Sequence, residues 1–172
     1  MKFSTIRRMA VLGVVNHLLA GTRYFAAKRN LLRSVGYALG EGTKVVGPIH
    51  CSGTLVTGEN CWIGRGVTIH GNGTVVLGDN CDIAPEVAFL TGGHEIGDSG
   101  RRAGKGEIYT VTVGSGTWIG ARATLGRNIR VGRGCVIAAC ACVMEDVADN
   151  RMVAGVPARE IRTLEDDADA GK

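Results

Sequence analysis

Residues 77–95 read LGDNCD-IAPEVA-FLTGGH-E, three six-residue units in a row. Each opens on an apolar residue (Leu77, Ile83, Phe89) and returns to a compact one at its fifth position (Cys81, Val87, Gly93), and the last ends in His94. The step then breaks. Residues 96–112 carry no such period, and from Val113 the beat resumes as VGSGTW-IGARAT-LGRNIR-VGRGCV-IAACAC. Upstream it runs through LGEGTK, VVGPIH, CSGTLV, TGENCW and IGRGVT, with first positions at Leu39, Val45, Cys51, Thr57 and Ile63. Ile69 begins a further unit, but Leu77 follows eight residues later, so two extra residues fall around His70, Gly71, Asn72 and Gly73. Self-similarity of this length is the signature of a repeat architecture.

Six residues suit a short strand and a tight turn. Three units close a triangular coil of about eighteen residues that stacks on the next at the ~4.8 Å spacing of paired strands. First-position Ile, Leu and Val are then expected inside the prism, with fifth-position Thr, Cys, Val and Ala filling its corners. Gly, Asp and Asn between them supply turn conformations.

Composition agrees with a narrow core. Of 172 residues 27 are Gly and only 3 are Pro, which marks tight turns and not a collagen-like tract. Aromatics make up only 5%. The six cysteines include no C-x-x-C, and Cys61, Cys81 and Cys135 all stand at fifth positions. They read as small buried residues in a reducing cytoplasm, not as a disulfide or zinc framework. Nothing points to a nucleic-acid partner.

The first 36 residues hold Lys2, Arg7, Arg8, Arg23, Lys28, Arg29 and Arg33 and no acid, a local +7 against +4 for the whole chain. Two short amphipathic helices are expected here, the first capped by Ser4 or Thr5 with Ile6, Met9, Ala10 and Val14 on one face, the second carrying Phe25, Leu32 and Val35 and stopping at Gly36. They either cap the solenoid or touch an anionic membrane surface peripherally. The apolar run at residues 9–15 is cut short by Asn16 and His17 and reads as helix, not as a leader or a membrane span.

The segments WIGRGVTI, LGDNCDIAPEVAF, TWIGARAT and VAGVPAREI resemble the hexapeptide-repeat acyltransferases, above all the galactoside and maltose O-acetyltransferases and those of polysaccharide biosynthesis. The resemblance implies an all-β solenoid, a left-handed parallel β-helix. Residues 1–36 form its N-terminal helical cap, residues 37–156 the β-helix with an inserted loop at 95–112, and residues 157–172 a short C-terminal helix and acidic tail. It further implies acetyl-CoA as donor, a sugar-like acceptor, a homotrimer, no required metal, and an active site between adjacent prisms.

His17, His50 and His70 read as turn or surface histidines. His94 differs, because it stands beside glycines at the edge of the long interruption, and loops of that length in compact domains are usually functional. FLTGGHE is similar to the family's histidine segment and RRAGKGEIYTVTVG to its loop, so His94 matches the general base. Imidazole suits removal of a proton from a hydroxyl near neutral pH. By the same match Asn72 and Ile108 fall at acceptor-pocket positions, Ala121 and Ala139 where backbone holds the pantetheine arm, and Arg162, with Arg159, near the CoA phosphates.

Two departures bear on substrate. Gly64 stands where the galactoside enzymes carry an acceptor-contacting Asn. Met144-Glu145-Asp146-Val147 replaces Thr-Lys-Asp-Val and removes a lysine from the donor end, which leaves Arg127, Arg133, Arg159 or Arg162 to hold it. The reading is an O-acetyltransferase, with N-acetylation of an amino sugar or other small amine and a non-catalytic scaffold as alternatives. A zinc hydratase on the same prism would need several imidazoles around one metal, and only His94 is suitably placed.

Overall fold

The computed structural model describes residues 3–165. Strands of two to four residues, each ended by a turn, wind into a triangular parallel solenoid with three sheets. On the first face Leu39, Thr57, Leu77, Val113 and Val131 stack in register. Val45, Ile63, Ile83, Ile119, Ile137 and Val153 stack on the second, and Cys51, Ile69, Phe89, Leu125 and Val143 on the third. All but Val153, which follows the last regular unit, are first positions of the hexads. All are buried except the half-buried Cys51, and they form the core expected of them.

The first corner, between faces one and two, carries a polar ladder. Thr43 Oγ1 donates to Gly58 O at 3.0 Å and Thr117 Oγ1 to Gly132 O at 2.9 Å. The thiols of Cys61, Cys81 and Cys135 take the same role, reaching Gly78 O, Gly114 O and Ala148 O at 3.0, 3.3 and 3.1 Å. At this corner each of these fifth-position residues is small and bonds a carbonyl of the next coil, and Thr and Cys can do both. All six cysteines are free thiols.

The helical cap begins with Phe3–Gly13, continues as a π-helical turn at Val14–Leu18, and ends with Phe25–Arg33. Ser4 and Thr5 thus lie inside the first helix and not before it. Its buried side also differs from expectation: Ile6 and Met9 are exposed, while Arg8, Val11, Leu12 and Val15 face the solenoid. The reason is the open end of the prism, whose carbonyls need donors. Arg8 bonds Cys51 O and Gly53 O, Lys28 is fully buried with Nζ on Gly21 O and Val46 O, and Arg33 bonds Leu39 O. Arg29 and Arg33 both pair with Glu41 at 2.8 and 2.7 Å. Much of the basic excess is therefore spent inside the molecule, and Arg7 and Arg23 remain exposed. No helix among the described residues is long and apolar enough to cross a membrane.

The expected helix at residues 157–164 is not formed. The chain turns back after Gly155, whose φ is +99°, and Ala158–Thr163 runs as a strand antiparallel to Arg151–Gly155. Arg151–Gly155 is itself the last parallel strand of the second face, stacked on Val136 and Ile137. A helix would leave its outer edge unpaired, and the returning strand closes it. Of the expected acidic tail, Glu165 to Lys172, all but Glu165 lies outside the described residues.

Candidate active site

The two irregularities of the repeat meet at the third corner, between faces three and one. The two-residue expansion forms a bulge at His70–Gly73, across which Thr54 pairs with Thr74 at a spacing of twenty. One coil further on, the interruption leaves the prism. It is not a loop but a two-stranded arm, Gly92–Ile96 against Ala103–Ile108. Thr91, fully buried, is its footing: Oγ1 and N both donate to His70 O, at 2.9 and 2.7 Å, while Oγ1 accepts from Gly73 N and the carbonyl accepts from Tyr109 N.

His94 lies in the outgoing strand, opposite Gly106, just before a register shift between His94 and Ile96. Its ring is exposed, and Nδ1 stands 2.9 Å from Gly104 O. A carbonyl oxygen only accepts, so the proton of the neutral imidazole is on Nδ1 and Nε2 is left with its lone pair outward. Gly104 permits this approach: a Cβ there would lie 2.9 Å from Glu95 O and 3.2 Å from Gly97 N.

Asn72 is exposed on the bulge beneath the arm, and Ile108 is exposed opposite Gly92 in the returning strand. His94, Asn72 and Ile108 therefore belong to one corner. Two residues of this corner carried no signal in the sequence. Tyr109 packs its ring edge on Gly93, where a Cβ would lie 2.5 Å from the phenolic oxygen, and its hydroxyl donates to Glu107 Oε2 at 2.6 Å. The hydrogen bond to that carboxylate pushes the Tyr109 phenol above its ordinary range. A lone Tyr and Glu in an aperiodic stretch show no pattern until the arm folds. The glycine immediately before His94 was the only hint, since it is where the ring needs room.

Ala121 and Ala139 lie elsewhere. They occupy successive turns of the second corner, between faces two and three, where Cys140 N donates to Ala121 O at 2.9 Å. No backbone acceptor is seen for the N–H of Ala121 or of Ala139 among the described residues. Arg159, opposite Ala154 in the terminal hairpin, comes to the same edge two strand levels beyond Ala139, whereas Arg162 lies farther back, opposite Met152. Arg133 stands at the first corner, bridged to Asp149 at 3.4 Å, and Arg127 at the third. Gly64 has no room for a side chain: a Cβ would come within 2.7 Å of both Ala84 C and Ile83 O. Among the described residues no three His, Cys, Asp or Glu side chains converge so as to hold a metal ion.

Comparison with known proteins bears on this arrangement. Residues 110–144 match the family model described as bacterial transferase hexapeptide (six repeats). The chain is 30% identical over 141 residues to the galactoside O-acetyltransferase of Escherichia coli, an alignment covering 81% of this chain and 70% of that protein. Its fold is similar to that of a galactoside acetyltransferase in complex with coenzyme A, with a TM-score of 0.80, 25% identity, and coverage of 97% of this chain and 85% of that one. A hexapeptide-repeat acetyltransferase from Vibrio cholerae, solved with acetyl coenzyme A, has the same fold at a TM-score of 0.80 and 23% identity, covering 95% of this chain and 88% of that chain.

Proposed function

This chain is an acetyltransferase belonging to the bacterial transferase hexapeptide family, and we propose that it transfers acetyl from acetyl-CoA to a hydroxyl of a sugar or glycan precursor, with His94 as general base. The observation that carries the reading is the His94 ring itself. It is exposed on a two-stranded arm, and the Gly104 carbonyl at 2.9 Å holds its proton on Nδ1.

Nε2 takes the proton of the acceptor hydroxyl as that oxygen attacks the thioester carbonyl. The C–S bond then breaks, the electron pair leaves on sulfur, and the imidazolium returns its proton to the CoA thiolate. Nδ1–H donates to the Gly104 carbonyl in both states, so the ring keeps its orientation while Nε2 takes up and returns the proton. Negative charge on the carbonyl oxygen needs a fixed donor, most simply a backbone N–H of a tight turn. Asn72 and Ile108 border the acceptor. The free N–H groups at Ala121 and Ala139 suit the amides of the pantetheine arm, and Arg159, with Arg162 behind it, suits the CoA phosphates.

His94 and Ala139 stand on different corners of one prism. A site that uses both is therefore built from two copies, and a cyclic homotrimer closes that arrangement three times. Replacing His94 with Ala tests the mechanism: turnover is expected to fall on the order of 10²- to 10⁴-fold with the assembly and acetyl-CoA binding intact. Full activity in that variant overturns the assignment.

A further inference from the structure

The second corner is a continuous edge. Gly66 N donates to Pro48 O at 2.8 Å, Glu86 N to Arg65 O at 2.8 Å, Arg122 N to Pro85 O at 3.0 Å, and Cys140 N to Ala121 O at 2.9 Å, stepping down it turn by turn. Ala121 and Ala139 occupy its lower half. At its upper end, where the π-helical turn meets the first coil, lies a cleft of about 480 Å3 whose walls include His17, His50 and Arg65 beside Asn16, Gly47 and Pro48.

The chemistry of this cleft has one sign. Among the described residues no carboxylate lines it. The Arg65 guanidinium makes no hydrogen bond to any described residue, and the Glu86 carboxylate, which feels its charge, is bonded instead to Arg122 Nε at 2.6 Å. The imidazoles of His17 and His50 likewise make no hydrogen bond to any described residue. Asn16 is occupied, accepting from Ile49 N at 2.9 Å and donating to Ile49 O at 2.8 Å. That clamp fixes the π-helical turn, and with it His17, against the coil, and such turns gather at functional sites.

A guanidinium offers a planar fork of N–H donors that matches carboxylate and phosphate oxygens, and imidazole N–H groups can complete the shell. We infer that this cleft receives an anionic group of the acceptor, a carboxylate or a phosphate, with Arg65 as the main contact and His17 and His50 flanking it; this rests on the acetyl-transfer reading above. Three coil steps, roughly 14 Å, separate the turn of Arg65 from that of Ala139. A donor laid along Ala121 and Ala139 leaves the upper end of the same edge to the acceptor. Gly64, next to Arg65, contributes no side chain for reading a neutral hydroxyl, so charge becomes the means of recognition.

The test compares galactose, galacturonate and galactose 1-phosphate as acceptors in a CoA-thiol release assay, for wild type and for Arg65→Ala. Wild type is expected to favour one or both charged sugars, the preferred one identifying carboxylate or phosphate. In Arg65→Ala the ratio of kcat/KM for charged over neutral acceptor is expected to fall roughly 10- to 100-fold through KM, with partial recovery in Arg65→Lys. Equal use of all three sugars by wild type, or an unchanged ratio in the variant, overturns the inference. If no sugar releases thiol and acetyl-CoA does not bind, the acetyl-transfer reading fails instead. The cleft is then decided by titrating both proteins with the two charged sugars and following the histidine-ring NMR signals. Movement of His17 and His50 in wild type but not in Arg65→Ala supports the anion site, and still signals in wild type overturn it.

Discussion

Gly71, on the bulge of one coil, lies against the backbone of Gly92, at the root of the arm: a Cβ on Gly71 would stand 2.5 Å from the Gly92 nitrogen and 2.8 Å from its Cα. The φ of Gly71 is +98°, so a side chain there is strained in conformation as well as in space. Gly71→Ala is expected to cost roughly 1–3 kcal/mol and to shift the arm, lowering kcat/KM about tenfold or more. Gly106→Ala is the control, because nothing lies within 4 Å of a Cβ at that arm position. Thermal melting and kinetics on the two variants check both statements; equal behaviour would mean that the bulge does not support the arm.

The separation of His94 and Ala139 onto different corners gives a complementation experiment. His94→Ala and Ala139→Arg, the second placing a long side chain in the donor edge, are each expected to be inactive. Mixed by unfolding and refolding together at equal concentration, they are expected to recover roughly a quarter of wild-type activity, since one pairing in four joins two intact half-sites. No recovery would show that each site is contained in one chain.

Thr117 takes part in the first-corner ladder twice, donating to Gly132 O at 2.9 Å and accepting from Cys135 N at 3.1 Å. Thr117→Val keeps the shape and leaves a buried N–H and a buried C=O unpaired. A loss of roughly 1–3 kcal/mol is expected, a fall of several degrees in melting temperature for a chain of this size. Thr117→Ser, which keeps the hydroxyl, should lose less. Calorimetry on the pair separates the hydrogen bonds from the methyl.

Tyr37, 3% exposed, has its phenol pushed up to about 12, chiefly by burial and further by the neighbouring Cys51, against the opposing pull of Arg8. Unfolded, a tyrosine loses its proton near pH 10. Between that value and about 12 the folded chain holds the extra proton, so the stability contributed is complete below pH 10 and is lost as pH rises through 12. Denaturant melts across this window should show a loss that Tyr37→Phe reduces by on the order of 2 kcal/mol. Identical alkaline limbs in the two proteins would contradict the placement of Tyr37.

Much of this molecule is written in its hexads. Leu77, Ile83 and Phe89 declare the three faces of one coil, and the fifth-position Cys and Thr declare its corners, because a narrow prism admits one pattern of size and polarity. The interruption after His94 was equally legible as the point at which the chain leaves the prism. The end elements were not. For Pro157 and the segment after it the resemblance implies a closing helix, yet the unpaired edge of Arg151–Gly155 makes a strand of Ala158–Thr163. In the same way the open carbonyls at the other end turn Arg8 inward and leave Ile6 and Met9 outside.

By itself the sequence determined the solenoid, its period and the two positions at which that period fails, since these follow from local spacing and side-chain volume. Only the tertiary structure decided that the two failures stack on one another, that Gly104 orients the His94 ring, and that Ala121 and Ala139 fall on a different corner. Those relationships join residues from separate coils or from both strands of the arm, and such distances are set by backbone stacking that no short-range pattern encodes.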